Sequence, residues 1–239
     1  MNTSIVASGE KQDIGCRVVL WDEPNIGKSF YLGKKKYHSR QKTLAELQNI
    51  IKSIVLHHTV SYTAKDTHVG IIGRGLSVNF IIDDDINNDG CATIYQCLDI
   101  KDGGYSQTIC NESGPGVEIC LRPDFWANPE LYSAKNIANY KVTPHKQIEY
   151  KVHGANYKCF GPTEAQHNSV IRLLNGFFKM FPKLPREFPK NDDGTISKTL
   201  IKDPTNYKGV MNHYNLDRQK IDCLGLDLEK IESEIFYPF

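Results

Sequence analysis

A few histidine, cysteine and aspartate residues have the types and spacing of a hydrolytic metal site. His57 follows the apolar run 54–56, His213 lies far downstream, and Asp222 and Cys223 come nine and ten residues after His213. Two histidines and one carboxylate or thiolate leave a fourth position open on a tetrahedral zinc ion, as in catalytic rather than structural zinc sites. From the residues alone, Asp222 and Cys223 are alternatives for the third ligand.

Two further residues have the chemistry that a zinc-activated water needs. Glu118 lies within the apolar run 117–121, where a buried and unpaired carboxylate is costly. A carboxylate there can act as a general base, and Lys220 can stabilise developing negative charge. The alternative for Glu118 is a structural ion pair with an arginine.

The pair His57-His58 also has a purely structural explanation. Successive side chains of a strand point to opposite faces, so one imidazole would cap the strand and the other would face solvent. Only residues that are distant in sequence can decide between this explanation and a metal site.

The elements that position these residues can be read from apolar runs and spacing. Strands are predicted over residues 17–21, 54–56, 76–82, 93–96 and 117–121. Helices are predicted over 42–51, from Thr163 to Pro182, and over 228–236. Buried strands alternating with helices predict an α/β fold, with a central mixed β-sheet flanked by helices.

Composition excludes several classes of protein. The 239 residues carry a net charge of +1, which argues against a dedicated nucleic-acid binder. No apolar run approaches the roughly 20 residues of a transmembrane helix, and the N-terminus does not read as a secretory signal. The seven cysteines are odd in number and include no Cys-x-x-Cys pair, which indicates free thiols and synthesis in a reducing compartment such as the cytoplasm.

A loop rich in aspartate and asparagine has two interpretations. Asp85, Asn87, Asp89 and Gly90 follow the spacing of a calcium-binding loop, with Gln96 where a bidentate glutamate would close the cage. Gln96 has no carboxylate, and predicted strands rather than helices flank the loop. We therefore interpret it as a hairpin loop.

Three other segments carry predictions about order and shape. Residues 1–16 are small and polar and are expected to be poorly ordered. Lysines 34–36 are expected to form a solvated face. Residues 122–156 are expected to form an irregular lobe beside the site, with an aromatic surface that includes Trp126.

In this order, the residues resemble the zinc N-acetylmuramoyl-L-alanine amidases related to phage lysozyme-amidases and peptidoglycan recognition proteins. The likeness is carried by Ile-Val-Leu-His57-His-Thr, Gly75-Leu-Ser-Val-Asn-Phe-Ile-Ile-Asp, Asp89-Gly with Thr-Ile-Tyr-Gln96, Gly116-Val-Glu118-Ile, Thr163-x-Ala-Gln166, His213, and Asp222-Cys-x-Gly-x-Asp227-Leu. It extends from about residue 50 to about residue 230. The resemblance implies an N-terminal extension over residues 1–45 and a zinc amidase catalytic domain over 46–239.

The resemblance also implies the roles of the site residues. His57 and His213 become zinc ligands, and Cys223 is favoured over Asp222 because it precedes Asp227 by the four residues seen in cysteine-type members. Glu118 matches the catalytic glutamate of the family. Lys220 matches the lysine of the family, although the alignment on Cys223 places it one residue away from that position.

The implied activity is hydrolysis of the amide bond between N-acetylmuramic acid and L-alanine in peptidoglycan. The resemblance to phage enzymes implies a monomeric endolysin, made in the host cytoplasm and acting on the bacterial cell wall. Val78 and Asn79 replace residues that are often Tyr and His in the family, and its Trp-His-Ala-Gly segment before the glutamate is not recognisable. A peptidoglycan-binding module that lacks catalysis is therefore the alternative function.

Overall fold

The structure is a computed structural model that describes residues 1–24, 38–39 and 42–236. The strands of this part are β1 (Ser4–Ala7), β2 (Glu10–Asp13), β3 (Val18–Leu20), β4 (His38–Ser39), β5 (Ser53–His58), β6 (Phe80–Ile82), β7 (Ile94–Gln96), β8 (Asp102–Gly103), β9 (Gly116–Ile119), β10 (Gln147–Val152), β11 (Ala155–Phe160) and β12 (Gly209–Asn212). The helices are α1 (Leu44–Ile50), α2 (Ala64–Gly73), α3 (Ala134–Tyr140), α4 (Glu164–Met180) and α5 (Leu228–Phe236).

Within the described residues, six strands form a mixed central sheet in the order β12, β5, β9, β6, β7, β3. The first four are mutually parallel, β7 runs antiparallel to β6, and β3 is parallel to β7. Helices cover this sheet, so the predicted α/β fold with a central mixed sheet is confirmed. Parallel strands covered on both faces are continuously apolar, which is why the run 54–56 identified β5.

The two faces of the sheet pack against different helices. Phe80 and Ile82 of β6 belong to the main hydrophobic core, together with residues of α4 and α5. Ile81, between them, packs in a separate cluster with Ala64 and Ile71 of α2. Because successive side chains of a strand alternate, α4 and α2 lie on opposite faces.

The longest helix, α4, begins where the sequence predicts a helix from Thr163, and a cap of two side chains fixes its start. Thr163 and Gln166 form a capping box. The amide of Gln166 also donates hydrogen bonds to the carbonyls of Asp83 and Cys120, just beyond the ends of β6 and β9. Its apolar residues at helical spacing are buried, comprising Val170, Leu173, Leu174, Phe177, Phe178 and Phe181.

The expectation of poor order in residues 1–16 is wrong. Strands β1 and β2 form a hairpin, and Ile5 and Ile14 enter the main core. The backbone N–H and carbonyl of Val6 bond to the side-chain amide of Gln96 at 2.8 and 2.7 Å. Gln96 therefore serves the N-terminal hairpin, a role that local sequence does not reveal.

Other predictions have mixed outcomes. The loop containing Asp85 and Asp89 joins the antiparallel strands β6 and β7, which confirms the hairpin interpretation. Asp85 accepts hydrogen bonds from Thr93 of the same hairpin, and Asp89 accepts one from Cys91. The segment 122–156 is more regular than expected, because it contains α3 and β10. Lysines 34–36 lie outside the described residues.

The boundary at residue 45, between an N-terminal extension and a catalytic domain, stays a prediction. In the structure, β3 lies in the central sheet beside β7, although it precedes that boundary. Among the described helices, none combines the length and apolar character that crossing a membrane requires.

Candidate metal centre

Three adjacent parallel strands bring His57, His213 and Glu118 together at their carboxyl-terminal ends. The register pairs His57 on β5 with Glu118 on β9, and Leu56 with Asn212 on β12. His213 follows Asn212 directly and is therefore level with His57. Sites commonly form at the carboxyl ends of parallel strands.

His57 and Glu118 project from the face of the sheet that α2 covers. Val117 and Ile119, on either side of Glu118, point into the main core on the face of α4. Ile81, which is level with Glu118 on β6, packs against α2. The alternation of each strand thus places both polar side chains on the face away from the main core.

Asp222 completes a close triangle of ligand atoms with the two histidines. His57 Nδ1 lies 3.0 Å from His213 Nδ1 and 3.2 Å from Asp222 Oδ2, and the remaining edge, His213 Nδ1 to Asp222 Oδ2, is 2.9 Å. Among the described residues, these three form the group of His, Cys, Asp or Glu side chains that could hold a metal ion.

Hydrogen bonding alone cannot satisfy this triangle. A ring nitrogen either donates or accepts, so three mutual hydrogen bonds among two imidazole nitrogens and one carboxylate oxygen are impossible. At least one contact of about 3 Å then joins two lone pairs or two N–H groups. A cation removes the conflict, and zinc–nitrogen bonds of about 2.0–2.1 Å give ligand separations of about 3.3 Å in a tetrahedron. The residues therefore fit a zinc ion.

The charges of the three side chains also suit a cation. Burial would raise the pKa of Asp222, but hydrogen bonds with His213 and His57 outweigh it and hold that pKa well below its ordinary value. Burial lowers the pKa of His213, against the opposing effect of Asp222. Burial would also lower the pKa of His57, but the hydrogen bond to Asp222 and the charge of Glu118 raise it overall. The group thus contains a firmly ionised carboxylate.

The structure does not bring Cys223 to the histidines, although the sequence favoured it over Asp222. Cys223 is fully buried in the main core. That burial, together with the charge of Asp222, raises the pKa of its thiol well above the ordinary value, whereas a zinc ligand must be a thiolate. The two neighbours point in different directions, and Asp222 occupies the third corner.

Glu118 lies beside the triangle but outside it. Its side chain lines the same cleft as His57 and His213. Burial raises the pKa of its carboxyl, and the positive charge of His57 opposes this. A raised pKa makes this carboxylate a stronger proton acceptor than a glutamate in water.

Lys220 lies two residues before Asp222, exposed at the mouth of the cleft. Arg74, at the end of α2, lines the cleft as well. Both cations act on the Glu118 carboxyl and lower its pKa, less strongly than burial raises it. Sequence reasoning missed Arg74, because its glycine-rich surroundings gave no sign of a helix ending near the site.

His58 has a separate role from His57. Its Nδ1 accepts a hydrogen bond of 3.0 Å from the backbone N–H of Leu224. Burial lowers the pKa of His58 to about 4, so the ring is neutral and can accept this bond. His58 thereby holds the backbone that follows Asp222, and the structure does not place it among the three converging side chains.

The cleft in front of the triangle has a volume of about 1000 Å³. Its walls come from the end of β5, from α2, and from the loops after β9 and β12. Trp126, whose side chain is half exposed, and Tyr105 contribute aromatic surface. The cleft is therefore large enough for an extended ligand.

Comparisons with known proteins give little further identification. The sequence matches no protein-family model and no curated protein. One solved structure that it resembles is AmpDh3 from Pseudomonas aeruginosa in complex with anhydromuramic pentapeptide, at 13% sequence identity and a TM-score of 0.45. The match covers 77% of this chain but only 59% of that one, and a likeness this distant carries no functional argument.

Proposed function

We propose that this chain is a zinc-dependent N-acetylmuramoyl-L-alanine amidase that cleaves the amide between N-acetylmuramic acid and L-alanine in peptidoglycan. The observation that carries the proposal is the triangle of His57, His213 and Asp222, with Glu118 beside it in one open cleft. The resemblance to zinc amidases, carried by the ordered motifs, implies the substrate class. Release of phage from a bacterial host is the biological setting that we propose from the same resemblance.

The two histidines and Asp222 would hold the zinc ion. Zinc in such a site supplies Lewis acidity towards a carbonyl oxygen and a water molecule. Three protein ligands leave room for this chemistry, whereas a fourth would close the site.

The chain's own residues would move protons and stabilise charge. Glu118 accepts the proton of the attacking water and delivers it to the nitrogen of the leaving L-alanine. Its raised pKa makes the carboxylate a stronger base for the first half of this transfer, and the carboxylic acid so formed donates the proton in the second half. Lys220, at the mouth of the cleft, contributes positive charge towards the oxyanion of the tetrahedral intermediate.

The same features favour an enzyme over a peptidoglycan-binding module. A module that only binds its ligand has no use for three converging ligand atoms next to a carboxylate with a raised pKa. Perturbed carboxylates in clefts are typical of catalytic sites.

The test combines metal analysis with product analysis. Purified protein is assayed for bound zinc by mass spectrometry and incubated with peptidoglycan sacculi, and newly freed L-alanine amino termini are counted. We expect about one zinc per chain and a steady increase in these termini. His57→Ala should lose both.

Two controls separate the alternatives. His58→Ala removes an imidazole that is not one of the converging ligands, so it should still bind about one zinc per chain at saturating zinc, even though it releases the backbone N–H of Leu224. Zinc-loaded native protein that binds sacculi but frees no L-alanine termini from any peptidoglycan type would leave the binding module as the function. Stoichiometric zinc in His57→Ala would overturn the metal site itself.

A further inference from the structure

A hairpin outside the central sheet packs against the segments that carry two of the three candidate ligands. Strands β10 and β11 pair with each other, and Tyr150 and Val152 of β10 share a buried cluster with Tyr214 and Leu224. Tyr214 follows His213 in the chain, and Leu224 is two residues after Asp222. The hairpin therefore packs against residues near both ends of the ligand-bearing loop.

That loop runs from His213 to Asp222 and is closed by its own backbone. The N–H of Tyr214 donates to the carbonyl of Asp222 at 2.9 Å, and the N–H of Lys220 donates to the carbonyl of Asp217 at 3.1 Å. His57, in contrast, is held by the central sheet. The conformation of this loop thus determines where two ligands stand relative to the third.

The outer side of the loop is exposed from Arg218 to Lys220 and needs an external contact to fix it. His153, in the turn of the hairpin, provides one. Its Nε2 lies 3.0 Å from the carbonyl oxygen of Lys220, and its Nδ1 lies 3.2 Å from Thr199 Oγ1. The ring also meets that of Tyr214 edge-on, with centroids 6.4 Å apart.

These contacts select one tautomer of His153. A carbonyl oxygen can only accept, so Nε2 must carry the hydrogen that it shares with Lys220. In the neutral ring Nδ1 then accepts, and the hydroxyl of Thr199 can donate to it. The backbone N–H of His153 donates to the carbonyl of Lys198 at 3.0 Å, which fixes the turn itself.

The backbone of the turn is specialised as well. His153 has φ +51° and Gly154 has φ +84°, as the central residues of a tight hairpin turn require. Most side chains disfavour this conformation, whereas His and Asn tolerate it better.

We propose that His153 is a positioning residue for the metal centre. It holds the carbonyl of Lys220 and, through it, the orientation of Asp222 two residues later. This inference rests on the metal site of the proposed function but not on its substrate. Groups that orient metal ligands typically alter metal affinity about 10–100-fold when they are removed.

The test is the zinc dissociation constant of His153→Asn, measured by competition with a chelator of known affinity. Asn tolerates the left-handed backbone but is too short to replace the imidazole contacts. We expect zinc binding to weaken about 10–100-fold. Urea unfolding of the metal-free protein should change little, because the contacts lie on the surface of the loop.

Two further variants make the result specific. Lys141→Asn is the matched control, since Lys141 is also a left-handed and exposed residue but lies at the end of α3. It should leave zinc affinity unchanged. Thr199→Val removes only the donor to Nδ1 and should weaken zinc binding less than His153→Asn. Combining it with His153→Asn should add nothing, because both changes act through one ring.

The outcomes separate this inference from the proposed function. Unchanged zinc affinity in His153→Asn would refute the positioning role, whether or not the metal-free protein is destabilised. The proposed amidase function would still stand if the native protein cleaves peptidoglycan. Weakened zinc binding in protein that never cleaves peptidoglycan would support the positioning role and refute the amidase. Native protein that binds no zinc would refute both.

Discussion

Two parts of the described chain place a histidine against an aspartate at similar distances. His145 Nε2 lies 3.1 Å from Asp84 Oδ1, and His213 Nδ1 lies 2.9 Å from Asp222 Oδ2. Both histidines are buried. The contact distance and the burial of the histidine therefore do not distinguish the two pairs.

The surroundings of the pairs do distinguish them. The second nitrogen of His145 lies 2.8 Å from the carbonyl oxygen of Gly161, and the second oxygen of Asp84 accepts the N–H of Thr143. Each polar atom of that pair thus has its own partner. This is the arrangement expected of a buried polar group that stabilises the fold.

At the carboxyl-terminal ends of the strands, His57 Nδ1 adds a third atom to the pair of His213 and Asp222. Hydrogen bonds cannot account for all three contacts among these atoms. The site also opens to a cleft, whereas the side chains of His145 and Asp84 are almost completely enclosed. A surplus of converging lone pairs, rather than the histidine–aspartate contact itself, indicates a metal site.

The largest effect on bound zinc is expected from Asp222, the ionised member of the three converging side chains. Asp222→Asn removes the charge and should reduce bound zinc to about a tenth or less of one ion per chain, because metal binding requires the deprotonated ligand. Cys223→Ser, one residue away in the core, should retain zinc. Metal analysis of the two purified variants checks this, and the reverse pattern would make Cys223 the ligand.

Glu118→Gln should separate catalysis from metal binding. It removes the proposed base but none of the three ligands, so we expect full zinc content and a cleavage rate at least about 100-fold lower. The rate is measured from L-alanine termini freed from sacculi. A native rate in this variant would make Glu118 a structural residue and place the base elsewhere.

The pH dependence of zinc affinity should follow the order of the histidine pKa values. Zinc competes with protons for the ligand lone pairs. The pKa of His57 is raised above the ordinary 6.5 because the effects of Asp222 and Glu118 exceed that of burial, so protons compete there first. Burial lowers the pKa of His213, so its proton competes only at lower pH.

We expect affinity to fall about tenfold for each pH unit below the pKa of His57, and more steeply below that of His213. Chelator competition across about pH 5 to 8 measures this dependence. An affinity that stays constant over that range would place the zinc at ligands other than these histidines.

The smallest effect on bound zinc is expected from the pair of His145 and Asp84, whose polar atoms all have hydrogen-bond partners. His145→Phe keeps an aromatic ring but removes the hydrogen-bond donors to Asp84 Oδ1 and to the carbonyl oxygen of Gly161. The free energy of unfolding should fall by about 3 kcal/mol, measured by urea denaturation of metal-free protein. Zinc content should not change. Loss of zinc in a folded variant would mean that the two pairs are coupled.

The central elements of the fold were predictable from the sequence because their signals are local. The apolar run 54–56 and the helix from Thr163 to Pro182 were predicted directly, and they correspond to β5 and α4. Helix α2 was missed because Gly70 and Gly73 are poor helix formers and interrupt its pattern. The order of residues 1–16 depends on Gln96, which lies some ninety positions away.

The candidate metal ligands were partly predictable for the same reason. His57 ends a recognisable strand, and Glu118 is conspicuous in an apolar run. The choice between Asp222 and Cys223 was not local, because it depends on which of two adjacent side chains the core accepts. Cys223 fits among apolar residues without a partner, whereas the carboxylate of Asp222 requires one.

The position of β12 at the edge of the sheet also affects the order of assembly. His57 and His213 are 156 positions apart, and β12 is the last strand of the described chain to be synthesised. Strand β5 can join the growing sheet early, but the second and third ligands arrive only when β12 and its loop have docked beside it. Because domains fold as the chain emerges from the ribosome, the candidate centre stays incomplete through most of synthesis. Acquisition of zinc would therefore mark the moment when the sheet is complete.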